Sequence, residues 1–409
     1  MYQISASRER GLLWLLALTQ FTIIMDFMVM MPLGPQIMHA FAIGPAAFAT
    51  AVSAYALCSG ISSLLAATYI DRFDRRRLLL TVYALFALSN LGCAMAPTFQ
   101  LLLVARAFAG LTGGVLASII MAIVGDVIPP QRRGAATGTI MTSFALAAVA
   151  GVPAGISLGA KFGWSSPFYL LVGLSLIIWM AGAWLVPSLT EHLGAKPTPL
   201  SRVIPNLIAL IFEPRHLNAF ALTFVMMCAN MLVIPFISPV LVANYSIAPQ
   251  QITWIYMAGG AATFFTSRIV GRLVDRFGKH LVFRVVGVCS MFPILFITHM
   301  PALRFLEVVA FFPFFMVAMS SRIIPLQALL TTVTEPARRG AFLSVNSAIQ
   351  SLGTGCGAWL GGLLLSTSDD GRIVGYGLNG WLAVTLVAVT LALIGRVKAL
   401  APMEQLRTA

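Results

Sequence analysis

Asp71-Arg72-Phe73-Asp74-Arg75 closes one long apolar run, and 204 residues later Asp275-Arg276-Phe277-Gly278-Lys279 closes another. Ahead of the first stand Ser59, Ser63 and Ala67, a four-residue spacing that lays small side chains along one face of a helix. At the same offset the second is preceded by Thr263, Ser267 and Gly271. Further on, Arg132-Arg133-Gly134-Ala135 returns after 206 residues as Arg338-Arg339-Gly340-Ala341. Ala147, Gly151, Gly155 and Gly159 return at that offset as Gly353, Gly357, Gly361 and Leu365. Three blocks in nearly one register make the chain an internal duplication. Each half is built on one plan.

The runs around these blocks say what solvent the halves meet. Of 409 residues, 59% are hydrophobic and 10% charged, against about a quarter charged in a soluble domain. A spanning helix needs about 20 mostly apolar residues. Runs of that length fall near 12–38, 46–70, 77–96, 99–127, 133–161 and 164–187. A second set falls near 216–243, 250–274, 280–299, 302–330, 337–365 and 375–398. Twelve spans in two sets of six are expected. This is an all-α integral membrane fold of two pseudo-symmetric six-helix bundles, residues 1–187 and 216–409. The polar stretch 188–215, with Glu191, Lys196, Pro197, Pro199, Arg202 and Pro205, joins them as a linker.

Charge sets the orientation. With both termini on one side, that side carries 20 Lys and Arg residues. The opposite side carries three, Lys161, Arg304 and Arg372, and Arg106, Arg268 and Arg322 fall within spans. Positive residues stay on the cytoplasmic side, so both termini are expected there. The net charge of +13 therefore reflects topology, not a nucleic-acid surface. The first run, too long for a signal-peptide core, is read as a retained span. Short loops fit a bacterial inner membrane. Cys58, Cys93, Cys228, Cys289 and Cys356 stand singly, which argues against disulfides and zinc and leaves buried free thiols as the expectation. No G-x-x-x-x-G-K-[ST] stretch occurs, so pumping driven by ATP is not expected. Neither covalent chemistry, a cofactor nor a metal is expected.

The loop Asp71-Arg72-x-x-Arg75-Arg76 and its twin Gly271-x-x-x-Asp275-Arg276-x-Gly278-Lys279 resemble the cytoplasmic loop motif of the major facilitator superfamily. Arg106-x-x-x-Gly110 is similar to its intramembrane arginine motif, though Ala109 stands where a glutamine is frequent. Gly151-Val152-Pro153-x-Gly155, with Gly159, resembles the antiporter motif of the drug:proton branch, and Asp26 before Pro32 fits the acidic first helix of that branch. Ala67 and Asp74 replace two glycines of the first loop copy. The resemblance covers the whole chain. It implies the major facilitator fold, transport by alternating access, and a conformational switch at Asp71, Arg72, Arg75, Asp275, Arg276 and Gly278.

Charges inside a membrane are costly and mark function by default. Asp26 lies 16 residues beyond Arg10, roughly 24 Å along a helix. Arg106 lies seven residues beyond Phe99, roughly 10 Å from the opposite face. Their depths match, so they are expected to interact as a proton-coupling pair. Neighbouring charge favours the ionised carboxylate and desolvation the neutral one, and geometry decides where the proton rests. A purely structural ion pair is the alternative. Glu307, five residues into the tenth span, is either a second titrating site or a solvated residue. Arg322, deeper in that span, is either an anion-binding group or one that reaches the interface. Arg268, near a helix end, is expected to be structural. Met25, Met227 and Asn230 join Arg322 as candidates for a substrate cavity, flexible thioethers suiting varied apolar ligands. Ordinary packing is the other reading of the methionines. Pro153 is expected to kink the fifth span where the bundles meet. Asp71 and Asp275 would either latch onto helix N-termini or pair with nearby arginines.

The function expected is secondary active transport, proton-coupled export of a small drug-like or metabolite substrate. A nutrient importer or facilitator of the same fold is the alternative, and a sensor without turnover a third. The partners are a small-molecule substrate, protons and lipid, without nucleic acid, and the chain is expected to be a monomer.

Overall fold

The computed structural model describes residues 6–129, 132–190, 200–301, 303–335 and 338–397. Residues 191–199 of the expected linker lie outside the described residues, as do Lys398 and Arg407. Helices dominate. In chain order they are α1 (Ala6–Val29), α2 (Gly34–Phe41), α3 (Pro45–Tyr69), α4 (Arg75–Ala94), α5 (Phe99–Val127), α6 (Arg133–Leu146), α7 (Val152–Phe162) and α8 (Ser166–Leu185). They continue as α9 (Leu200–Phe212), α10 (Pro214–Met231), α11 (Ile237–Tyr245), α12 (Pro249–Phe277), α13 (Lys279–Thr298), α14 (Phe305–Ser321), α15 (Ile323–Leu330), α16 (Arg339–Leu363) and α17 (Tyr376–Leu393). A two-stranded hairpin, β1 (Ser366–Thr367) and β2 (Ile373–Val374), links α16 to α17. Asn244 braces it, donating to Ile373 O and accepting from Ile373 N, both at 2.8 Å.

Among the described residues, ten helical stretches are long and apolar enough to cross a membrane. The stretches expected as spans near 250–274 and 337–365 form the helices α12 and α16, of 29 and 25 residues, which are not among these ten. They fall outside the apolar set because of what they carry. Arg268, Arg272, Asp275 and Arg276 sit on α12, and Asn346, Gln350 and several glycines on α16. Large apolar side chains face outward, Trp184 at 85% exposure and Phe314 at 72%. Outward apolar bulk is what hydrocarbon surroundings permit, so the chain is a multi-pass membrane protein. All five cysteines are free, but only Cys93 and Cys228 are buried; Cys289 is exposed, contrary to expectation.

Four expected spans are discontinuous. The first breaks after Val29, and Pro32 lies in the turn before α2. The seventh breaks after Met231, through a 3₁₀ turn Ile234–Phe236 that contains Pro235. The tenth breaks at Arg322, between α14 and α15. In the fifth, a π-helical turn Ala147–Gly151 precedes Pro153. Proline has no N–H to donate to the preceding turn, and a π-bulge is one way a helix absorbs the loss.

The chain divides into two compact units, Met1–Met30 with Ala54–Pro205 and Met31–Ser53 with Asn206–Ala409. In the first unit α1 lies against α5, α6 and α8, and α4 packs between α5 and α8. Small residues allow the closest approaches: a Cβ on Gly110 would lie 2.2 Å from Tyr55 O, and one on Gly114 2.3 Å from Ser59 O. In the second unit α10 packs on α16, where a Cβ on Gly357 would meet Cys228 O at 2.4 Å. The Met31–Ser53 stretch docks there as well. Ser238 Oγ donates to Pro32 O at 2.9 Å, and Gly362 leaves room for Ala49.

Candidate functional site

Asp26 stands three residues before the end of α1, and Arg106 two turns into α5. Arg106 Nη1 donates to Asp26 Oδ1 at 2.6 Å, and both side chains are wholly buried. The local sequence builds the seat for this pair. Because Gly110 has no side chain, the backbone of α3 comes close to α5 at Tyr55. The Tyr55 ring then lies under the guanidinium, 4.4 Å from its carbon, and the Tyr55 hydroxyl donates to Ile23 O at 3.3 Å. A desolvated cation over an aromatic face gains up to about 2 kcal/mol. The buried Cys93 thiol lies within electrostatic reach of both charges. Asp26 Oδ2 and Arg106 Nε and Nη2 have no hydrogen-bond partner among the described residues. One carboxylate oxygen is thus committed and the other is without a partner among the described residues.

The glycine–proline motif touches the same helix. A Cβ on Gly151 would meet Met25 Sδ at 3.3 Å, and one on Gly155 would lie 2.2 Å from Val29 Cγ2. These contacts flank Asp26 on α1. Gly159 and Pro153 are buried on the same short helix. The kinked fifth span therefore packs on the first span within its own unit. Met25 fills that contact, and Met227 lies against Gly353 of α16 in the second unit. Both methionine side chains are buried.

Matched spans in the second unit carry a different pair. Arg322 is wholly buried at the break between α14 and α15, and its Nη2 donates to Asn230 Oδ1 and to Met319 Sδ at 3.2 Å. Arg322 Nε and Nη1 have no partner among the described residues, and no carboxylate there pairs with it. Glu307, by contrast, is exposed in the first turn of α14 and accepts from Arg304 N at 2.8 Å. It caps the helix. Arg268 lies over the Phe264 ring at 5.5 Å.

The loop residues hold local bonds. Arg75 is buried and joins Asp71 at 2.6 Å, Asp126 at 2.9 Å and Ile70 O at 2.6 Å. Asp71 thus takes the neighbouring-arginine option. Asp74, the replaced glycine, caps α4: it accepts from Arg76 N at 3.1 Å and from Leu189 N at 3.0 Å. At the equivalent position Gly278 has φ +86°, a backbone conformation that glycine adopts without strain. Arg276 lies over Phe277 at 5.2 Å, and Asp275 makes no ion pair among the described residues. Arg72 is exposed.

One feature of the duplication was missed in the sequence. Glu9 pairs with Arg132 at 2.7 Å in the first unit, and Glu213 with Arg338 at 3.5 Å in the second. Glu213 stands 204 residues after Glu9, and Arg338 stands 206 after Arg132. The offsets already identified contained this pair. Tyr55, Cys93 and Asp126 left no such signal, because their positions depend on how each helix is rotated.

The sequence profile of the Major Facilitator Superfamily matches residues 16–218 and again 219–404. The MFS-type transporter YfhI of Bacillus subtilis is 27% identical over 324 residues, 77% of each chain. The inner membrane transport protein YdhP of Escherichia coli is 27% identical over 320 residues, 77% of this chain and 78% of that one. A bacterial homologue of the human lysosomal transporter Spinster, in an inward-facing and occupied conformation, shares the fold with a TM-score of 0.78 at 15% identity. The match covers 98% of this chain and 100% of that one.

Proposed function

The chain belongs to the Major Facilitator Superfamily, and from that membership and the buried Asp26–Arg106 pair we propose that it is a proton-coupled exporter of small drug-like or metabolite molecules. It is a membrane transporter and not an enzyme. The finer reading places it in the drug:proton antiporter branch, with twelve spans, both termini cytoplasmic, in the bacterial inner membrane.

The observation that carries the reading is the free Oδ2 of Asp26 in a pair that is otherwise closed. Ionised, Asp26 neutralises Arg106 and holds α1 to α5. A proton arriving on Oδ2 removes that charge and loosens the pair, while Arg106 keeps its aromatic face at Tyr55. A membrane potential of 100 mV supplies about 2.3 kcal/mol per charge, enough for a roughly 50-fold gradient. The motif glycines Gly151 and Gly155 touch α1 on both sides of Asp26. A change at the carboxylate is therefore felt directly by the fifth span. In this cycle substrate leaves as protons enter, by alternating access.

An efflux assay in cells stripped of their own exporters tests the proposal, with drugs, sugars and lipophilic metabolites compared for wild type and Asp26→Asn at matched expression. Wild type should lower accumulation of at least one compound and the variant should not. Equal efflux by both proteins would make Asp26 structural, and uptake in place of efflux would favour the importer.

A further inference from the structure

Asn230 stands 204 residues after Asp26, the offset that relates Glu9 to Glu213 and Asp71 to Asp275. The two halves thus place a carboxylate and an amide at one position of the duplication. In the first half the carboxylate neutralises the buried arginine of the fourth span at 2.6 Å. In the second half the amide oxygen meets the buried arginine of the tenth span and leaves its charge intact. The arginines differ in register: the position 206 residues after Arg106 is Phe312, and Arg322 stands ten residues beyond it. Arg322 is wholly buried, with Nε and Nη1 unpartnered among the described residues.

Two helix breaks converge on this contact. Arg322 is the residue between α14 and α15, and Asn230 is the penultimate residue of α10, just before the unwound turn at Leu232–Phe236. Discontinuous spanning helices are where transporters hold their substrates. A buried cation with free N–H groups beside a neutral acceptor selects an oxyanion, since guanidinium donors match carboxylate geometry.

We propose that Arg322, positioned by Asn230, binds the carboxylate or other oxyanion of the transported substrate, so that the cargo is an organic anion. This rests on the transporter reading, and not on the proton coupling or the direction. Arg322 is closed over in this structure, so entry requires the broken seventh and tenth spans to part. The missing carboxylate of the second half is supplied by the cargo.

The test is thermal unfolding of the purified full chain in nanodiscs of zwitterionic lipid. Aromatic and aliphatic carboxylates, benzoate among them, are compared at matched ionic strength with their neutral amides, benzamide among them. At least one carboxylate should raise the wild-type Tm while its amide does not. The shift should vanish in Arg322→Gln and in Asn230→Asp and persist in Gly134→Ala, where an added Cβ meets open space. Asn230→Asp guards against misfolding, because it installs a counter-charge and should raise the ligand-free Tm. A carboxylate shift that survives in Asn230→Asp overturns the proposal, and so does the absence of any shift in wild type. A Tm rise obtained only with phosphatidylglycerol in the disc, and lost in Asn230→Asp, would assign the arginine to a lipid headgroup and overturn it as a cargo site. Export failing while the carboxylate shift remains would sink the exporter reading alone.

Discussion

Replacing Arg106 by glutamine would leave the Asp26 carboxylate buried without a counter-charge. Stranding one member of a buried pair costs about 3–5 kcal/mol, so Arg106→Gln should lower the Tm of purified protein sharply and reduce the folded yield. Asp26→Asn is a gentler change, because the second half already buries an arginine against an asparagine at Arg322 and Asn230. It should fold, reach the membrane and lose only coupling. Gly278 offers a backbone test at the same scale: at φ +86° and ψ 152° a Cβ costs about 1–3 kcal/mol. Gly278→Ala should therefore lower the Tm by a few degrees. Asp26 and Arg106 were legible from the chain by counting depth along two antiparallel helices. Tyr55 was not, since its place under the guanidinium follows from the rotation of α3. For Glu307 the sequence left a titrating site and a solvated residue both open, because a run of apolar neighbours does not reveal a capping bond to Arg304 N.

Helices approach one another here through small residues, as they do wherever packing rather than water drives association. The glycines are not equivalent, and that yields a matched comparison. Gly110 and Gly357 lie where an added Cβ would strike backbone at 2.2 and 2.4 Å, whereas Gly134 and Gly340 face open space. Gly110→Ala and Gly357→Ala should lower folded yield and Tm, and Gly134→Ala and Gly340→Ala should match wild type. Equal effects in all four would mean that the close helix contacts do not carry stability. The spans themselves were legible from run length, but their breaks were not. Pro32, Pro235 and Pro153 were signals for three of them, while the break at Arg322 has no proline until Pro325. A twenty-residue apolar rule averages over such interruptions. It also overstates uniformity: α12 and α16 are as long as other spans, yet polar enough to fall outside the apolar set.

For the whole molecule, the duplication was readable because sequence identity at fixed offsets survives in the loops, where charge sets topology. The 20-to-3 asymmetry of Lys and Arg predicts both termini inside the cell. A reporter that is active only in the cytoplasm should be active when fused to either end. The division into compact units was less legible, because Met31–Ser53 groups with the later half through contacts such as Ser238 to Pro32. Those contacts join residues about 200 positions apart, and no local pattern announces them. In the proposed cycle the buried carboxylate of Asp26 exchanges a proton for cargo. Its most direct test uses everted membrane vesicles that hold a respiratory pH gradient, read by a pH-sensitive dye. A compound exported in cells should dissipate the gradient with wild type and leave it untouched with Asp26→Asn. Equal dissipation by both proteins, or cargo movement by wild type without any change in the gradient, would rule out proton exchange at Asp26.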